Sequence, residues 1–345
     1  MKSNDSRKTF LDVPPEDVLA FVKANGMPSF RVKEIYEWFF KRLARDFNEM
    51  TSLPAELRKA LSAHYRLHPL SVHRKDVSRE DGTIRYVFSG HDGPRVSTVY
   101  LPEGERLSLC ISTQVGCAFR CTFCASGLVK FQRQLSAAEI VDQILLIHAD
   151  QKRMPTNLVF MGMGEPLANF TQVVKALRLI SSPTGIGMSP RRVTLSTSGL
   201  VPQIMKLADE GVNVNLAVSL HAVRDDLRLK VMPVSGKFGV RPLVKAAKYY
   251  AQKTNSLVTF EYILLDRVND FMIDAVRLSY LTKGFENKVN LIPYNPVAGL
   301  PYGRPPHGSV IRFQNWLRER GVPVYIRKPK GIDIGSACGQ LGAAT

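Results

Sequence analysis

The 345-residue sequence lacks any long apolar run. No segment approaches the roughly 20 consecutive apolar residues that a membrane-spanning helix requires. The polar start, Met1–Asp5, lacks the apolar core of a signal peptide, and the chain has neither a fixed-period repeat nor a low-complexity segment. These absences argue against membrane, secreted and repeat proteins, and we expect a cytoplasmic monomer with no membrane partner.

Cysteine is also scarce. Five cysteines in a chain of this size are too few for a disulfide scaffold. Three of the five nevertheless lie within eight residues, between positions 117 and 124. In a reducing compartment such clustering indicates metal binding or catalysis.

Acidic residues are outnumbered by basic ones. The 47 Lys and Arg residues against 30 Asp and Glu give a formal net charge of +17, which favours a polyanionic partner such as nucleic acid. Basic residues are dense in segments 224–253, which includes Arg228, and 312–330. Such runs suit contacts with phosphates, and a solvated helix face explains them about equally well.

Hydrophobic patterning divides the chain into three predicted domains. Helical periodicity beginning near Pro15, Arg31 and Pro54 predicts a small helical accessory domain over residues 1–70. Short alternating segments separated by tight turns predict a β-rich connector over residues 71–104.

Residues 105–345 alternate strand-length apolar runs with longer amphipathic stretches. This rhythm predicts βαβ units and a mainly parallel sheet, either open or curved into a barrel. Polar residues that directly follow such strands lie at the carboxyl edge of the sheet, where α/β proteins bind ligands. We therefore expect an α/β catalytic core with its site at that edge.

A loop with three cysteines follows the first of these strands. Cys117, Cys121 and Cys124 are close enough in sequence for their thiolates to converge on one centre. Structural zinc takes four ligands, and no nearby Cys or His obviously completes the set. Three ligands on a four-iron cluster leave one iron open for a substrate, as reductive cleavage of S-adenosylmethionine (SAM) requires.

The motif C-x-x-x-C-x-x-C, with Phe123 before its last cysteine, resembles the signature of the radical-SAM superfamily. The glycine-rich turn Gly162–Pro166 follows the next strand, where its backbone can approach the methionyl amino group of SAM. Two further cysteines, Cys110 and Cys338, narrow the resemblance to the RlmN/Cfr family of radical-SAM RNA adenine methyltransferases. Other matching stretches are residues 30–33, 37–38, 189–199, 219–222 and 290–296.

The resemblance implies a partial (β/α)6, TIM-like barrel that carries one 4Fe-4S cluster on Cys117, Cys121 and Cys124. It also implies two SAM molecules per turnover. The first methylates Cys338, and the second is cleaved to a 5′-deoxyadenosyl radical that takes a hydrogen from the S-methyl group. The resulting carbon radical adds to adenine, the adduct loses a proton, and Cys110 attacks the Cys338 sulfur, which frees the base as a disulfide forms. An external reductant such as flavodoxin or ferredoxin is the expected partner.

The resemblance also assigns contacts with SAM to residues that follow predicted strands. The expected contacts are Gly164 and Glu165 at the amino group, Ser196, Ser219, Leu220 and His221 along the ribose and carboxylate, and Asn295 near the adenosine.

One position departs from the family pattern. Family members carry a glutamate thirteen residues before the first conserved cysteine as the final proton acceptor, and this chain has Ser97 there. Serine is not an equivalent base. Either Glu103, Glu105 or a solvent relay substitutes for the glutamate, or the proton is lost to the substrate environment, or the reaction of this chain differs in its last step.

The expected substrate is structured RNA, and the resemblance implies that the helical domain over residues 1–70 is RNA-binding-like. The resemblance implies methylation of 23S rRNA at the peptidyl-transferase centre, with the tRNA anticodon loop as a second target. Glu165-Pro166 favours methylation of adenine C2, whereas Ile332 beside Asp333 resembles the C8-methylating type. A noncatalytic RNA-binding iron–sulfur protein is the alternative from another class, and a radical-SAM enzyme acting on a protein or metabolite is a further one.

Overall fold

The computed structural model describes residues 7–342, so the outermost residues of the first and last predicted domains lie outside the described residues. Three helices, α1 (Pro15–Ala24), α2 (Arg31–Phe40) and α3 (Ala55–His64), confirm the predicted helical start. Strand β1 (Lys8–Thr9) pairs in parallel with β2 (Tyr65–Arg66), which ties the two ends of this region together.

An antiparallel meander follows the helices. It consists of β3 (Leu70–Val77), β4 (Ile84–Gly90), β5 (Arg95–Glu103) and β6 (Arg106–Cys110). Each of these strands pairs with the next, and β6 also pairs in parallel with a strand of the following region. The meander is therefore continuous with the main sheet.

The main sheet grows from β6 by parallel pairing. A short antiparallel pair, β7 (Gln114–Val115) with β8 (Arg133–Gln134), first closes the base of the loop that holds the three cysteines. Six further strands then pair in chain order, each parallel to its neighbour. They are β9 (Asn157–Phe160), β10 (Val193–Thr197), β11 (Asn215–Ser219), β12 (Val258–Leu264), β13 (Asn287–Pro293) and β14 (Val324–Ile326).

Helical segments connect the successive parallel strands, as βαβ topology requires. Helix α4 begins at a capping box in which Ser136 and Glu139 satisfy each other's backbone N–H groups. The connecting helices are α4 (Ala137–Gln151), α5 (Phe170–Ser181), α6 (Val201–Asp209), α7 (Asp225–Val231), α8 (Val240–Thr254), α9 (Met272–Leu281) and α10 (His307–Arg318).

Strands β14 and β3 form the two ends of this ten-stranded sheet, so the barrel is open. Six successive strand–helix units followed by β14 confirm the predicted α/β fold with a partial (β/α)6 barrel. All parallel strands end at the same edge, and the loops that follow them meet there. None of the helices between residues 7 and 342 has the length and apolar character that crossing a bilayer requires.

Candidate active site at the carboxyl edge of the sheet

The cysteine loop, residues 116–127, is held by close backbone approach at its base. Gly116 has a φ of +75°, and a Cβ there would overlap the carbonyl oxygen of Lys130 and lie 2.7 Å from its carbonyl carbon. Farther along, the Cys124 N–H donates to the Cys121 carbonyl at 3.1 Å, and the Thr122 N–H donates to an oxygen at the end of α7 at 3.0 Å. The loop conformation therefore requires glycine at position 116.

The three cysteines of this loop line a common cavity. Burial raises the pKa of Cys117 to about 11 and also raises the pKa values of Cys121 and Cys124. The neighbouring Cys124 adds to the rise at Cys117 and Cys121, and Cys338 adds to the rise at Cys124. Phe123 is buried and makes an edge-on contact with the His221 ring at 5.0 Å between centroids.

These donors fit an iron–sulfur cluster better than a single metal ion. Within residues 7–342, no group of three or more His, Cys, Asp or Glu residues is placed to hold one ion. A four-iron cluster binds its thiolates through separate corners, so three sulfurs around an open cavity are a suitable ligand set. Cys117, Cys121 and Cys124 are the residues that would hold it.

A cavity of about 910 Å³ adjoins the cysteine loop, and we call it the larger cavity. Most of the residues predicted to contact SAM line it. They are Gly164, Glu165, Ser196, Ser219 and His221. Leu220, the remaining predicted residue of the β11 end, is fully buried in the hydrophobic core because alternate residues face opposite sides of a strand.

The glycine-rich turn after β9 packs tightly against the start of the cysteine loop. Gly164 has a φ of +97°, and a Cβ there would lie 2.5 Å from the Gln114 side chain. The Glu165 N–H donates to Gln114 Oε1 at 2.8 Å, and the N–H and hydroxyl of Ser198 both donate to Glu165 Oε2 at 2.7 Å. Burial raises the pKa of Glu165, and the bonds from Ser198 oppose this rise. Ser198 was not among the predicted site residues, although it lies in a matching stretch.

His221 is fixed as a neutral side chain. Its backbone has a φ of +57°, which is unusual for a residue other than glycine. The Ile263 N–H donates to His221 Nδ1 at 3.1 Å. Burial lowers the pKa of His221 to about 3, and the nearby positive charge of Arg228 adds to this effect.

Arg228 is a structural residue beneath the site. Only 1% of it is exposed, and its guanidinium donates to the carbonyl groups of Ser198 at 2.6 Å, Ser219 at 3.1 Å and Leu220 at 3.0 Å. The prediction that it belongs to an RNA-facing basic run is wrong. Its role is to satisfy the carbonyl groups at the ends of β10 and β11.

A second cavity of about 660 Å³, the smaller cavity, is lined by Cys110 at the end of β6, by Cys338 and by Asn295. Arg327 and Cys338 line both cavities, so the two cavities adjoin each other. Burial raises the pKa of Cys110 to about 12, with the neighbouring Cys338 adding to the rise. The chain thus brings the predicted methyl carrier and its partner thiol together.

Cys338 lies in the C-terminal loop, residues 331–342. This loop is held by distant segments: Asn295 Nδ2 donates to the Cys338 carbonyl at 3.1 Å, and the Ala125 N–H donates to the Gly339 carbonyl at 2.7 Å. Asn295, expected near the adenosine, thus holds the backbone of Cys338. All five cysteines, which lie in the described part of the chain, are free thiols, so the expected disulfide is not formed in this structure.

The predicted alternatives for the final proton acceptor lie elsewhere. Glu103 is the exposed last residue of β5, and Glu105 lies in the exposed turn that leads to β6. Cys110 is at the opposite end of β6, roughly 16 Å away at 3.3 Å per residue. Ser97 is buried on β5, where its carbonyl accepts a hydrogen bond from Ser112 Oγ at 2.6 Å.

Two charged residues that the sequence reasoning missed line the larger cavity. Glu261 lies inside the apolar run of β12, where an isolated carboxylate is itself a signal of function. Arg327 directly follows β14, and its Nη1 lies 3.2 Å from Met161 Sδ. Its position after a predicted strand was the available signal.

Comparison with known proteins agrees with this site. Residues 111–278 match the Radical SAM superfamily, which implies SAM and a 4Fe-4S cluster, and residues 9–67 match the ribosomal RNA large subunit methyltransferase N-terminal domain. A curated relative from Thermus thermophilus, named probable dual-specificity RNA methyltransferase RlmN, is 42% identical over 99% of this chain and 95% of its own length. A Campylobacter jejuni relative, named dual-specificity RNA methyltransferase RlmN, is 41% identical over 96% of each chain.

A solved structure has the same fold along nearly its whole length. The crystal structure of a radical SAM methyltransferase from Sphaerobacter thermophilus has a TM-score of 0.93 and 40% identity, covering 97% of this chain and 99% of that one. The chain therefore belongs to the RlmN family of radical-SAM RNA methyltransferases.

Proposed function

We propose that this chain methylates a ring carbon of adenine in RNA, with C2 favoured over C8. The observation that carries the proposal is the pair Cys110 and Cys338, which lines a cavity adjoining that of the three-cysteine loop. The names of the curated relatives support an RNA substrate. We propose 23S rRNA at the peptidyl-transferase centre as the target, with the tRNA anticodon loop as a second one.

In this proposal the side chains at the carboxyl edge of the sheet have different roles. Cys117, Cys121 and Cys124 would hold the cluster, and the residues of the larger cavity would hold SAM. Bound there, these cofactors supply a methyl group and the radical chemistry that an electron-poor ring carbon needs. We propose two SAM molecules per turnover, because the carried methyl group and its activation each use one, and an external reductant such as flavodoxin or ferredoxin.

Cys338 would accept the methyl group on its sulfur and present it to the adenine. The S-methyl group would lose one hydrogen atom, which leaves in 5′-deoxyadenosine, and the ring carbon would lose its hydrogen as a proton while one electron returns to the cluster. The adenine would then be linked to the Cys338 sulfur through a methylene bridge. Cys110 then attacks the Cys338 sulfur. The bond between the Cys338 sulfur and carbon breaks, and a Cys110–Cys338 disulfide forms. The released carbon takes up a proton, which balances the one that the Cys110 thiol loses, and the methylated base leaves. Two electrons and two protons from the reductant restore the free thiols, the state that the structure shows.

The last proton needs an acceptor other than Ser97. With Glu103 and Glu105 at the far end of β6, we assign this proton to water that enters the open cavity. Val99, two residues along β5 from Ser97, lines the smaller cavity, and alternation places both on the same face of the strand. Ser97→Glu would therefore supply a base near Cys110, and we expect the covalent RNA–protein adduct to resolve about 100-fold faster. Denaturing gels of quenched single-turnover reactions measure this rate, and an unchanged rate would count against the assignment.

Phosphate contacts are expected at the mouth of the smaller cavity. Lys328 is exposed, Lys330 is half-buried, and both line this cavity. Phosphate contacts position RNA without selecting its sequence. The selected adenine would have to leave its stack to reach Cys338.

The decisive experiment is anaerobic reconstitution with iron, sulfide, SAM, reductant and RNA. We expect 5′-deoxyadenosine and methyladenosine to form, and Cys338→Ala to abolish methyladenosine. Cys110→Ala should instead accumulate the covalent adduct. Mass spectrometry of the digested RNA identifies the carbon and the target. RNA that is bound but never modified by the wild-type protein would favour the noncatalytic alternative.

A further inference from the structure

Glu261 carries an unsatisfied oxygen in the wall of the larger cavity. Only 3% of the residue is exposed, and Asn290 Nδ2 donates to its Oε1 at 3.0 Å. Its Oε2 is buried and has no hydrogen-bond partner among residues 7–342. Leaving such an acceptor unpaired is costly, so an orphaned carboxylate oxygen facing a cavity points to a missing ligand donor.

The position of Glu261 in the sheet indicates which part of a ligand in the larger cavity it would contact. Ser219 on β11 is paired in register with Glu261 on β12, so the two side chains lie on the same face of the sheet, and both line the larger cavity. The other glutamate in this wall, Glu165, already accepts three hydrogen bonds, two at Oε2 and one at Oε1 from the Leu167 N–H. Of these two carboxylates, Glu261 is the one with a free acceptor.

We propose that Glu261 Oε2 accepts a hydrogen bond from a ribose hydroxyl group of SAM. This inference rests on the proposed function, because it takes the ribose to lie beside Ser219. A carboxylate only accepts hydrogen bonds, so its partner must be a donor. The donors of SAM are its ammonium group, its adenine amino group and its ribose hydroxyls, and the first is expected at the turn of Gly164 and Glu165.

The surrounding charges keep this carboxylate available as an acceptor. Burial raises the pKa of Glu261, whereas the positive charge of Arg327 and the bond from Asn290 oppose that rise. Arg327 lines the same cavity and offsets the cost of a buried negative charge. Arg327 thus favours the ionised form of Glu261, and an ionised oxygen forms the stronger class of hydrogen bond with a neutral hydroxyl.

The test is a thermodynamic cycle that combines one substitution in the protein with the removal of one hydroxyl group from SAM. Cluster-reconstituted wild-type protein and Glu261→Gln are titrated anaerobically with SAM and with its 2′-deoxy and 3′-deoxy analogues by calorimetry. The glutamine side chain would keep the oxygen that faces Asn290 and replace Oε2 with an NH2 group. We expect Glu261→Gln to bind SAM about tenfold more weakly, and one deoxy analogue to bind both proteins with equal affinity. Unchanged SAM affinity in Glu261→Gln, or an equal loss for SAM and both analogues, would overturn the inference.

Two further variants keep this test independent of folding. Glu261→Asp retains the charge but shortens the reach, and it should weaken SAM binding while raising the KM for SAM more than it lowers kcat. Glu139→Gln is the matched control. Glu139, on α4, is as buried as Glu261, but its carboxylate is already bound to Arg133 at 2.7 Å. This variant should leave SAM affinity unchanged. Iron content and thermal unfolding are measured for each protein.

Failure of the inference and failure of the proposed function give different results. A wild-type protein that binds SAM and shows the expected cycle, but leaves RNA unmodified, defeats the proposed function alone. The inference alone fails if the wild-type protein methylates RNA but wild-type and Glu261→Gln discriminate equally against both deoxy analogues.

Discussion

The cysteine loop and the C-terminal loop supply thiols to the same space, but they are held in opposite ways. The cysteine loop is closed at its base by β7 and β8 and by the contact of Gly116 with the backbone of Lys130. The C-terminal loop is bound to remote segments: the Gly331 N–H donates to Asp81 Oδ2 at 2.9 Å, and the Arg79 N–H donates to Asp333 Oδ2 at 3.0 Å. One loop is fixed mainly by its neighbours in sequence, and the other by residues about 250 positions away.

This difference matches the proposed chemistry of the two loops. A cluster needs three sulfurs whose relative positions stay constant, and a short closed loop provides this. A carrier thiol must face SAM, RNA and Cys110 in turn, and a loop with glycines of positive φ at positions 331, 335, 339 and 342 suits such movement. Rigidity and mobility are therefore separable by mutation.

The largest separation is expected between Cys121→Ser and Cys338→Ser. Loss of a cluster ligand should remove most of the bound iron and reduce SAM cleavage below detection. Loss of Cys338 should leave iron content and SAM binding unchanged and abolish RNA methylation. Iron assay, 5′-deoxyadenosine formation and methyladenosine yield measure the three properties. Comparable iron loss in both variants would show that the two loops form one unit.

The next largest effect is expected from Gly116→Ala. Its Cβ would overlap the Lys130 carbonyl group, and its φ of +75° adds strain. We expect a loss of at least about 3 kcal/mol in unfolding free energy, together with poor cluster assembly. Gly104→Ala is the control, because its φ is +55° but a Cβ there would have no neighbour within 4 Å. That control should cost only about 1 kcal/mol and retain iron.

The same contrast explains what the sequence could predict. The spacing of Cys117, Cys121 and Cys124 is local, so the sequence alone was enough to assign them to one loop. Leu220 could also have been excluded from the cavity, since strand alternation after Ser219 places its side chain in the core.

The remaining assignments depend on tertiary contacts that no local pattern records. Arg228 lies in a run that is typical of a solvated face, and it is buried because its guanidinium binds three carbonyl groups that lie 8, 9 and 30 positions earlier in the chain. The contact of Asn295 with Cys338 joins residues 43 positions apart. Ser97 occupies the position at which the family pattern has a catalytic glutamate, but that match does not tell which other group faces the cavity.

A moderate effect is expected from Asn295→Ala, which removes the hydrogen bond to the Cys338 carbonyl and leaves Arg304 without its partner at Asn295 Oδ1. Losing a buried hydrogen bond that contributes about 1–2 kcal/mol should slow single-turnover methyl transfer roughly tenfold, and iron content should be unchanged. Asn287→Ala removes comparable bonds to the Thr282 and Phe285 carbonyl groups at the other end of the sheet. It should lower stability without slowing methyl transfer selectively, and equal slowing in both variants would contradict a positioning role for Asn295.

The smallest effect is expected from Gly339→Ala, beside the carrier thiol. Here a Cβ would meet only the Phe123 carbonyl oxygen, at an ordinary 3.6 Å, so the cost comes from the φ of +86° alone. We expect a loss of about 1 kcal/mol in the stability of the active loop conformation and a roughly fivefold slower methyl transfer. Gly211→Ala, with a φ of +71° and no neighbour within 4 Å, has the same strain far from the thiols and should leave the rate unchanged. Because Gly339→Ala and Gly116→Ala change the same residue type at similar φ values, their difference measures how much of each loop's conformation is enforced by close packing.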